Sequence, residues 1–259
     1  MINSMVPMPQ ILVTNDDGVH SEGIRALADA VAHLGDVTIV APIQEASAIG
    51  HALTLRRPLR VESIAPRVFA VDGTPTDCVN VAITHILGAK PDLILSGINK
   101  GWNLGDDVTY SGTVSGALEG ALLGIPSIAL STQRIADACE FGPAARAAAL
   151  VSALVLDRGM PKFTLLNVNT PTGPNKGFRV TVQARRNHVT VVNERIDPRQ
   201  RAYYWIEEGE NDWEPHDRSD YQAVRDGYIS ITPLQPDMTA YDAMAYVEGL
   251  PLGSPQEVR

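Results

Sequence analysis

Short apolar runs alternate with segments of helical period along most of this chain, and few folds accept that order. The runs fall at residues 11–13, 37–41, 92–95, 127–130 and 163–168. Each is short and apolar, as a strand buried on both faces must be. Between the first two, residues 21–34 place Ile24, Leu27, Ala28, Val31 and Leu34 on one helical face, with Gly35 positioned as a C-cap. Further helices are predicted over 77–87, 113–123 and 143–156, and residues 60–71 read as two short strands around Ala65-Pro66. Strand–helix–strand order implies parallel pairs joined by right-handed crossovers, hence an open, doubly wound, mainly parallel α/β sheet. After Pro171 the texture changes. Strands are predicted over 178–183, 188–193, 202–206 and 228–232, the last followed by Pro233, with a polar loop over 211–220 and no helix among them. The expected organisation is an α/β core over 1–172 and a β-rich C-terminal arm over 173–259 that returns to the core and suits pairing with another subunit.

At 259 residues the chain has room for one large α/β domain with a smaller extension, and 44% hydrophobic content suffices for a sizeable core. The formal net charge of -9 speaks against a nucleic acid polymer as partner. A small phosphorylated substrate remains compatible, because a bound metal and helix N-termini supply local positive potential. The cysteines, Cys78 and Cys139, form no CxxC pair and suit a reducing cytoplasm. The first ten residues carry no Lys or Arg, so no signal peptide is expected, and no apolar run approaches the ~18 residues of a membrane span. A cytoplasmic protein with no membrane partner is the expectation.

The first apolar run ends in Asn15-Asp16-Asp17-Gly18. On a continuing strand adjacent side chains point to opposite faces, so the two carboxylates can share a site only beyond the strand end. Gly18 permits the turn that brings them together. Paired carboxylates repel unless a cation neutralises them, which points to a hard divalent metal with oxygen ligands. An acidic turn capping the next helix is the other reading. Ligands of open α/β sheets bind beyond the carboxyl ends of the strands, and polar residues gather there in this chain. Ser47 lies in the loop after the second run, and Asn99 closes Ser96-Gly97-Ile98-Asn99 after the run at 92–95. With Asp16 and Asp17 they make a set of two carboxylates, a hydroxyl and an amide oxygen. Residues 106–113 lead into a helix whose exposed N–H groups, with the Ser111 and Thr113 hydroxyls, could hold a phosphate, a Ser/Thr N-cap being the competing reading. Asp106 and Asp107 are assigned to ordering that loop, and Gly73-Thr74-Pro75-Thr76-Asp77 to a turn and helix start. His20 and His51 lie near these loops, whereas His33, His85, His188 and His216 have no companions at ligand spacing. Tyr203, Tyr204 and Trp205 suit strand packing or subunit contacts.

Taken together, Thr14-Asn15-Asp16-Asp17-Gly18, Asp72-Gly73-Thr74-Pro75-Thr76-Asp77-Cys78-Val79, Ser96-Gly97-Ile98-Asn99 with Asn103-Leu104-Gly105-Asp106-Asp107, Tyr110-Ser111-Gly112-Thr113-Val114, Leu166-Asn167-Val168-Asn169-Thr170-Pro171 and residues 228–234 resemble the SurE (survival protein E) family of metal-dependent 5'/3'-nucleotidases, in family order across nearly the whole chain. The resemblance implies a Rossmann-like core and one divalent metal per subunit, commonly Mg or Mn, held by Asp16, Asp17, Ser47 and Asn99. It also implies a phosphate pocket lined by Asn15, Asn103, Ser111, Gly112 and Thr113. It further implies a C-terminal arm exchanged within a homodimer, sometimes paired into a homotetramer, and hydrolysis of nucleoside monophosphates, with short polyphosphate cut by some members. The family usually has basic residues before the loop serine and a glycine after it, where this chain reads Gln44-Glu45-Ala46-Ser47-Ala48. No preferred nucleotide is carried over.

The expected reaction is hydrolysis of a phosphate monoester, with Asp16, Asn99 and Ser111 as the candidate catalytic residues. Asp16 is the candidate to orient or deprotonate water, and Asp17 the structural ligand. Ser111, the Gly112 N–H and Thr113 would stabilise charge on the phosphoryl oxygens. An aspartyl-phosphate enzyme of the haloacid dehalogenase type needs two aspartates separated by one residue, whereas Asp16 and Asp17 are adjacent. A dinucleotide-dependent oxidoreductase lacks its G-x-G-x-x-G after the first strand. A non-catalytic nucleotide or metal sensor using the same sheet edge stays open as the alternative.

Overall fold

The computed structural model describes residues 8–136, 138–187, 190–208 and 212–251. His188, the first residues of the strand predicted over 188–193, and Asn211 lie outside the described residues.

The N-terminal two thirds form β1 (Gln10–Thr14), α1 (Glu22–Val31), β2 (Asp36–Pro42), β3 (Val61–Ala65), β4 (Val68–Val71), α2 (Pro75–Val81), β5 (Leu93–Lys100), α3 (Gly112–Leu122), β6 (Ser127–Thr132), the short pair β7 (Arg134–Ile135) and β8 (Ala138–Cys139), α4 (Phe141–Arg158) and β9 (Leu165–Thr170). The remainder holds β10 (Phe178–Val180), β11 (Arg186–Asn187), the hairpin β12 (Thr190–Ile196) and β13 (Ala202–Glu208), β14 (Asp212–Trp213), α5 (Asp220–Arg225), β15 (Ile229–Leu234) and α6 (Met244–Glu248). Nine strands join in one sheet of order β10-β15-β9-β6-β5-β1-β2-β4-β3. The β2-β1-β5-β6-β9 stretch is parallel throughout, while β3 and β15 run antiparallel to β4 and β9. This is the doubly wound α/β sheet expected of the alternation.

Strand side chains alternate between the two faces of the sheet, where three apolar clusters form. Ile11, Val13, Leu93, Leu95, Ile128 and Leu130 face α1 and α4, where Ile24, Leu27, Val31, Ala144, Ala148 and Val151 meet them. Leu12 and Ile94 face Cys78, Val79 and Ala82 of α2 and the turn after it. Ala129 and Leu165 face Val114, Ala117 and Ala121 of α3. Ile24, Leu27 and Val31 are fully buried, each worth about 1.5–3 kcal/mol relative to exposure.

Several boundaries differ from the periodicity reading, each for a physical reason. Helix α1 ends at Ala32 in ordinary right-handed geometry, so Gly35 is not its cap. Gly35 instead meets the chain before β1, where a Cβ would stand 2.2 Å from the Pro9 carbonyl oxygen. Strand β5 runs on through Gly97, Ile98 and Asn99 to Lys100, with a register slip against β6 between Ser96 and Asn99. Pro233 lies inside β15, opposite Leu166, beyond the last β10 pair at Ile231, where a missing N–H is tolerated. Helix α5 starts at the end of the predicted loop over 211–220, in a stretch where no helix was expected. Its signal was present in Ser219-Asp220-Tyr221-Gln222, a serine N-cap whose Oγ accepts from Gln222 N at 3.1 Å.

Candidate active site

The sheet order reverses between β1 and β5. The connection from β1 goes to β2 on one side, and that from β5 goes to β6 on the other. Beyond the carboxyl ends of such a neighbouring pair lies a crevice with no crossover above it. The Asp16-Asp17 turn follows β1 directly into this crevice.

The turn is built by local bonds. Gly18 adopts φ +95°, a conformation costly for other residues. Asn15 Nδ2 donates to the Gly18 carbonyl at 3.1 Å and to the Ser21 hydroxyl at 2.8 Å. Ser21 in turn caps α1. Asn15 thus orders the turn, and its Oδ1 is buried without a hydrogen-bond partner.

Asp16 is 5% exposed and lies under the N-terminus of α3. Thr113 Oγ1 donates to Asp16 Oδ1 at 2.5 Å. Gly112 makes this approach possible, since a Cβ there would stand 2.7 Å from the Asp16 Cβ and 2.9 Å from its Oδ2. Burial pushes the Asp16 carboxyl up to about 6, against the Thr113 hydroxyl that pulls it down and with the neighbouring Asp17 adding to the rise. Asp17 is half-buried and also raised, chiefly by burial. The ammonium and backbone N–H of Lys100 and the Arg134 guanidinium oppose that rise, and Glu45 adds to it. Asp17 Oδ2 is buried with no hydrogen-bond partner.

Ser111 is the N-cap of α3, its Oγ accepting from Val114 N at 3.1 Å. The capping reading therefore holds for Ser111, and its hydroxyl proton is still available to a ligand. Asn99 sits in β5 opposite Ser131, with its Nδ2 on the Gly101 carbonyl at 3.1 Å. The loop after β2 is tied to the turn by Ala46 N, which donates to the Asp16 carbonyl at 2.8 Å. Ser47 is exposed on that loop, and its hydroxyl donates to Glu45 at 2.6 Å rather than to the aspartates.

Asn103 is held by residues to which the sequence reading gave no role. Its N–H donates to Asn169 Oδ1 at 2.8 Å and its Nδ2 to Ser131 Oγ at 2.8 Å. Its carbonyl accepts from Asn167 Nδ2 at 2.8 Å and Asn169 Nδ2 at 3.0 Å. Asn167 and Asn169 alternate on β9, which puts both on one face; that i, i+2 spacing was the available signal. The next loop residues are fixed from the C-terminal third. Gly105 N donates to Asp220 at 2.9 Å, and Arg186 Nη1 donates to Asp107 at 2.8 Å. Asp106 and Asp107 therefore order the loop, as expected.

Two neighbouring features are structural. Thr74 and Asp77 form a reciprocal cap on α2, and Asp77 also accepts from Thr54 N at 2.9 Å. His51 bonds Glu119 of α3 at 2.7 Å. Burial alone would raise the Glu119 carboxyl, but hydrogen bonds from His51 and Asn80 outweigh it and hold it below the usual range.

The structure thus brings Asp16, Gly112 and Thr113 into contact, with Asp17 and Ser111 next to them in the chain, Asn15 bonded within the same turn, Ala46 tying the Ser47 loop to it, and Asn99 and Asn103 meeting at Ser131. Among the described residues no three His, Cys, Asp or Glu side chains gather as a metal cluster. The donor set here is two carboxylates with neutral oxygens. Its buried, partnerless Asp17 Oδ2 and the raised carboxyls of both aspartates are what a hard cation would satisfy.

The family model described as Survival protein SurE matches residues 11–190. The chain is 52% identical over 232 residues to the 5'-nucleotidase SurE of Syntrophotalea carbinolica, a match covering 89% of this chain and 93% of that protein. It is 49% identical over 242 residues to the 5'-nucleotidase SurE of Geotalea daltonii, covering 92% of this chain and 98% of the relative. Its fold is similar to the crystal structure of the SurE protein from Aquifex aeolicus, with a TM-score of 0.83 and 45% identity over 93% of this chain and 98% of that one. By family model, sequence identity and fold similarity alike, the chain belongs to the SurE family.

Proposed function

We propose that this chain is a divalent-metal-dependent phosphomonoesterase that converts nucleoside 5'-monophosphates to nucleoside and phosphate. Activity on 3'-monophosphates and short polyphosphate belongs to the same proposal. The observation that carries it is a buried Asp16 beside a half-buried Asp17 at the switch point, with the N-terminus of α3 packed directly on Asp16. That arrangement offers positive helix potential and N–H groups to an anion, beside carboxylates suited to a cation.

Asp16, Asp17, Ser47 and Asn99 are the proposed holders of one Mg or Mn ion. When bound, such an ion would supply Lewis-acid polarisation of the phosphoryl oxygens and activation of water. Asp16 orients or deprotonates the attacking water, its carboxylate fixed by the Thr113 hydroxyl. The Ser111 hydroxyl and the Gly112 N–H stabilise charge on the phosphoryl oxygens. Asn15 and Asn103 line the pocket and hold its walls in place. We further propose a homodimer or homotetramer assembled through the C-terminal arm, working in the cytoplasm. Among the described residues no helix is long and apolar enough to cross a membrane.

The test is phosphate release from 5'- and 3'-nucleoside monophosphates and a short polyphosphate, each with Mg, Mn or chelator. Release that requires a metal and favours 5'-monophosphates is the expected result. Nucleotide binding without release under any metal would assign the chain a sensor role instead.

A further inference from the structure

Tyr110 adjoins the Ser111 N-cap, yet it has no part in the reaction proposed above. Its backbone is held on both sides: Tyr110 N donates to the Asp107 carbonyl at 3.1 Å, and its own carbonyl accepts from Gly50 N at 3.0 Å. Its ring is 61% exposed. Among the described residues before Phe163 it is the one exposed Phe, Tyr or Trp, while Phe69, Trp102 and Phe141 are partly buried. Among the described residues no ring or cation stacks on it, and its hydroxyl makes no hydrogen bond. Beside it runs the 47–50 loop, which carries the exposed Ile49. An aromatic ring on a pinned backbone loses little conformational entropy when it takes a flat partner. In a nucleoside monophosphate the base is one ribose away from the phosphate, and Tyr110 is one residue away from the proposed phosphate cap.

We propose that Tyr110 is the nucleobase platform of this site, the base stacking on its ring while the phosphate lies at the N-terminus of α3. This rests on the nucleotidase reading and adds the residue that separates nucleotides from other phosphate esters. Stacking is tolerant of base identity because every base has a π-face. Tyr110 therefore confers preference for nucleotides as a class, stronger for purines than for pyrimidines.

The experiment measures kcat/KM for AMP, CMP and ribose 5-phosphate in the wild-type chain and in Tyr110→Ala, Tyr110→Phe and Tyr110→Trp. In Tyr110→Ala the ratio of AMP to ribose 5-phosphate falls about tenfold, the size expected for one lost stack, through KM. The CMP ratio falls less, and Tyr110→Phe and Tyr110→Trp keep both ratios. An unchanged AMP ratio overturns the proposal, whether both substrates weaken together or neither does. A wild-type chain that cleaves neither ester overturns the nucleotidase reading instead, which the wild-type column alone decides.

Discussion

The strand-end crevice and the β12–β13 hairpin break the ordinary rules of burial in opposite directions. In the crevice polar groups are buried: Thr14, Asn15, Asp16, Ser96, Asn103, Ser111, Thr113, Asn167 and Asn169 all lie below 9% exposure. On the hairpin apolar groups are left out: Val192 is 57% exposed, Trp205 56% and Ile206 77%. Buried polar groups cost free energy unless bonded, so a site that keeps partnerless oxygens at Asn15 and Asp17 retains them for a ligand. Exposed apolar surface costs little in a lone chain but marks a face that another surface covers. The crevice suits something small and charged, and we propose that the apolar face of the hairpin is covered by a second copy of the chain.

Four predictions test that contrast, from the largest effect down. Asp16→Asn lowers kcat/KM by about a hundred- to ten-thousand-fold, the range for a lost proton-transfer group. In chelator the same variant melts several degrees above wild type at neutral pH. The sign follows from the raised carboxyl: a folded pKa of about 6 above the ordinary 3.8 means that ionisation destabilises the fold at higher pH. That cost begins to fade as pH falls to about 6 and is gone only below 3.8, so the two melting temperatures converge across that window. A lower melting temperature for Asp16→Asn at neutral pH would make Asp16 a structural residue and erase the contrast.

Asn169→Ala removes the acceptor of the Asn103 N–H and one donor to its carbonyl. It should destabilise the chain by about 1–3 kcal/mol, as leaving buried polar groups unpaired does. Turnover should fall about tenfold or more because the pocket wall shifts. Denaturant unfolding and steady-state kinetics on one preparation report both. Paired Trp205→Ser and Ile206→Ser lowers the mass measured by light scattering, with thermal stability of the chain changed by no more than about 0.5 kcal/mol. An unchanged mass would leave the hairpin's apolar face without the role assigned to it. Ser47→Ala raises the metal concentration for half-maximal activity about two- to tenfold, or ~0.5–1.5 kcal/mol. The effect is smallest because the Ser47 hydroxyl is exposed and already bonded to Glu45.

Local patterns made some of this legible. The Asp16-Asp17 turn was readable because an apolar run must end before adjacent side chains can converge, and the cap at Ser111 was available as the competing reading from its place before a helical period. Lys100 was not readable as a neighbour of Asp17, because β5 runs five residues further than its apolar stretch, carried by pairing with β6. Nor was the tie from Asp220 to Gly105, since the short helix α5 that presents Asp220 has too few turns to show a period.

By itself the sequence determined the alternation of strands and helices, the carboxylate turn at the end of β1 and the polar ends of the strands beside it. These follow from side-chain periods of two and 3.6 and from residues that stop a strand or start a helix, all effects within a few positions. The tertiary structure alone decided the partners: Thr113 on Asp16 across 97 positions, Asn169 on Asn103 across 66, Asp220 on Gly105 across 115. Contacts at such separations depend on strand order and on how closely α3 approaches the sheet, and no local pattern carries either.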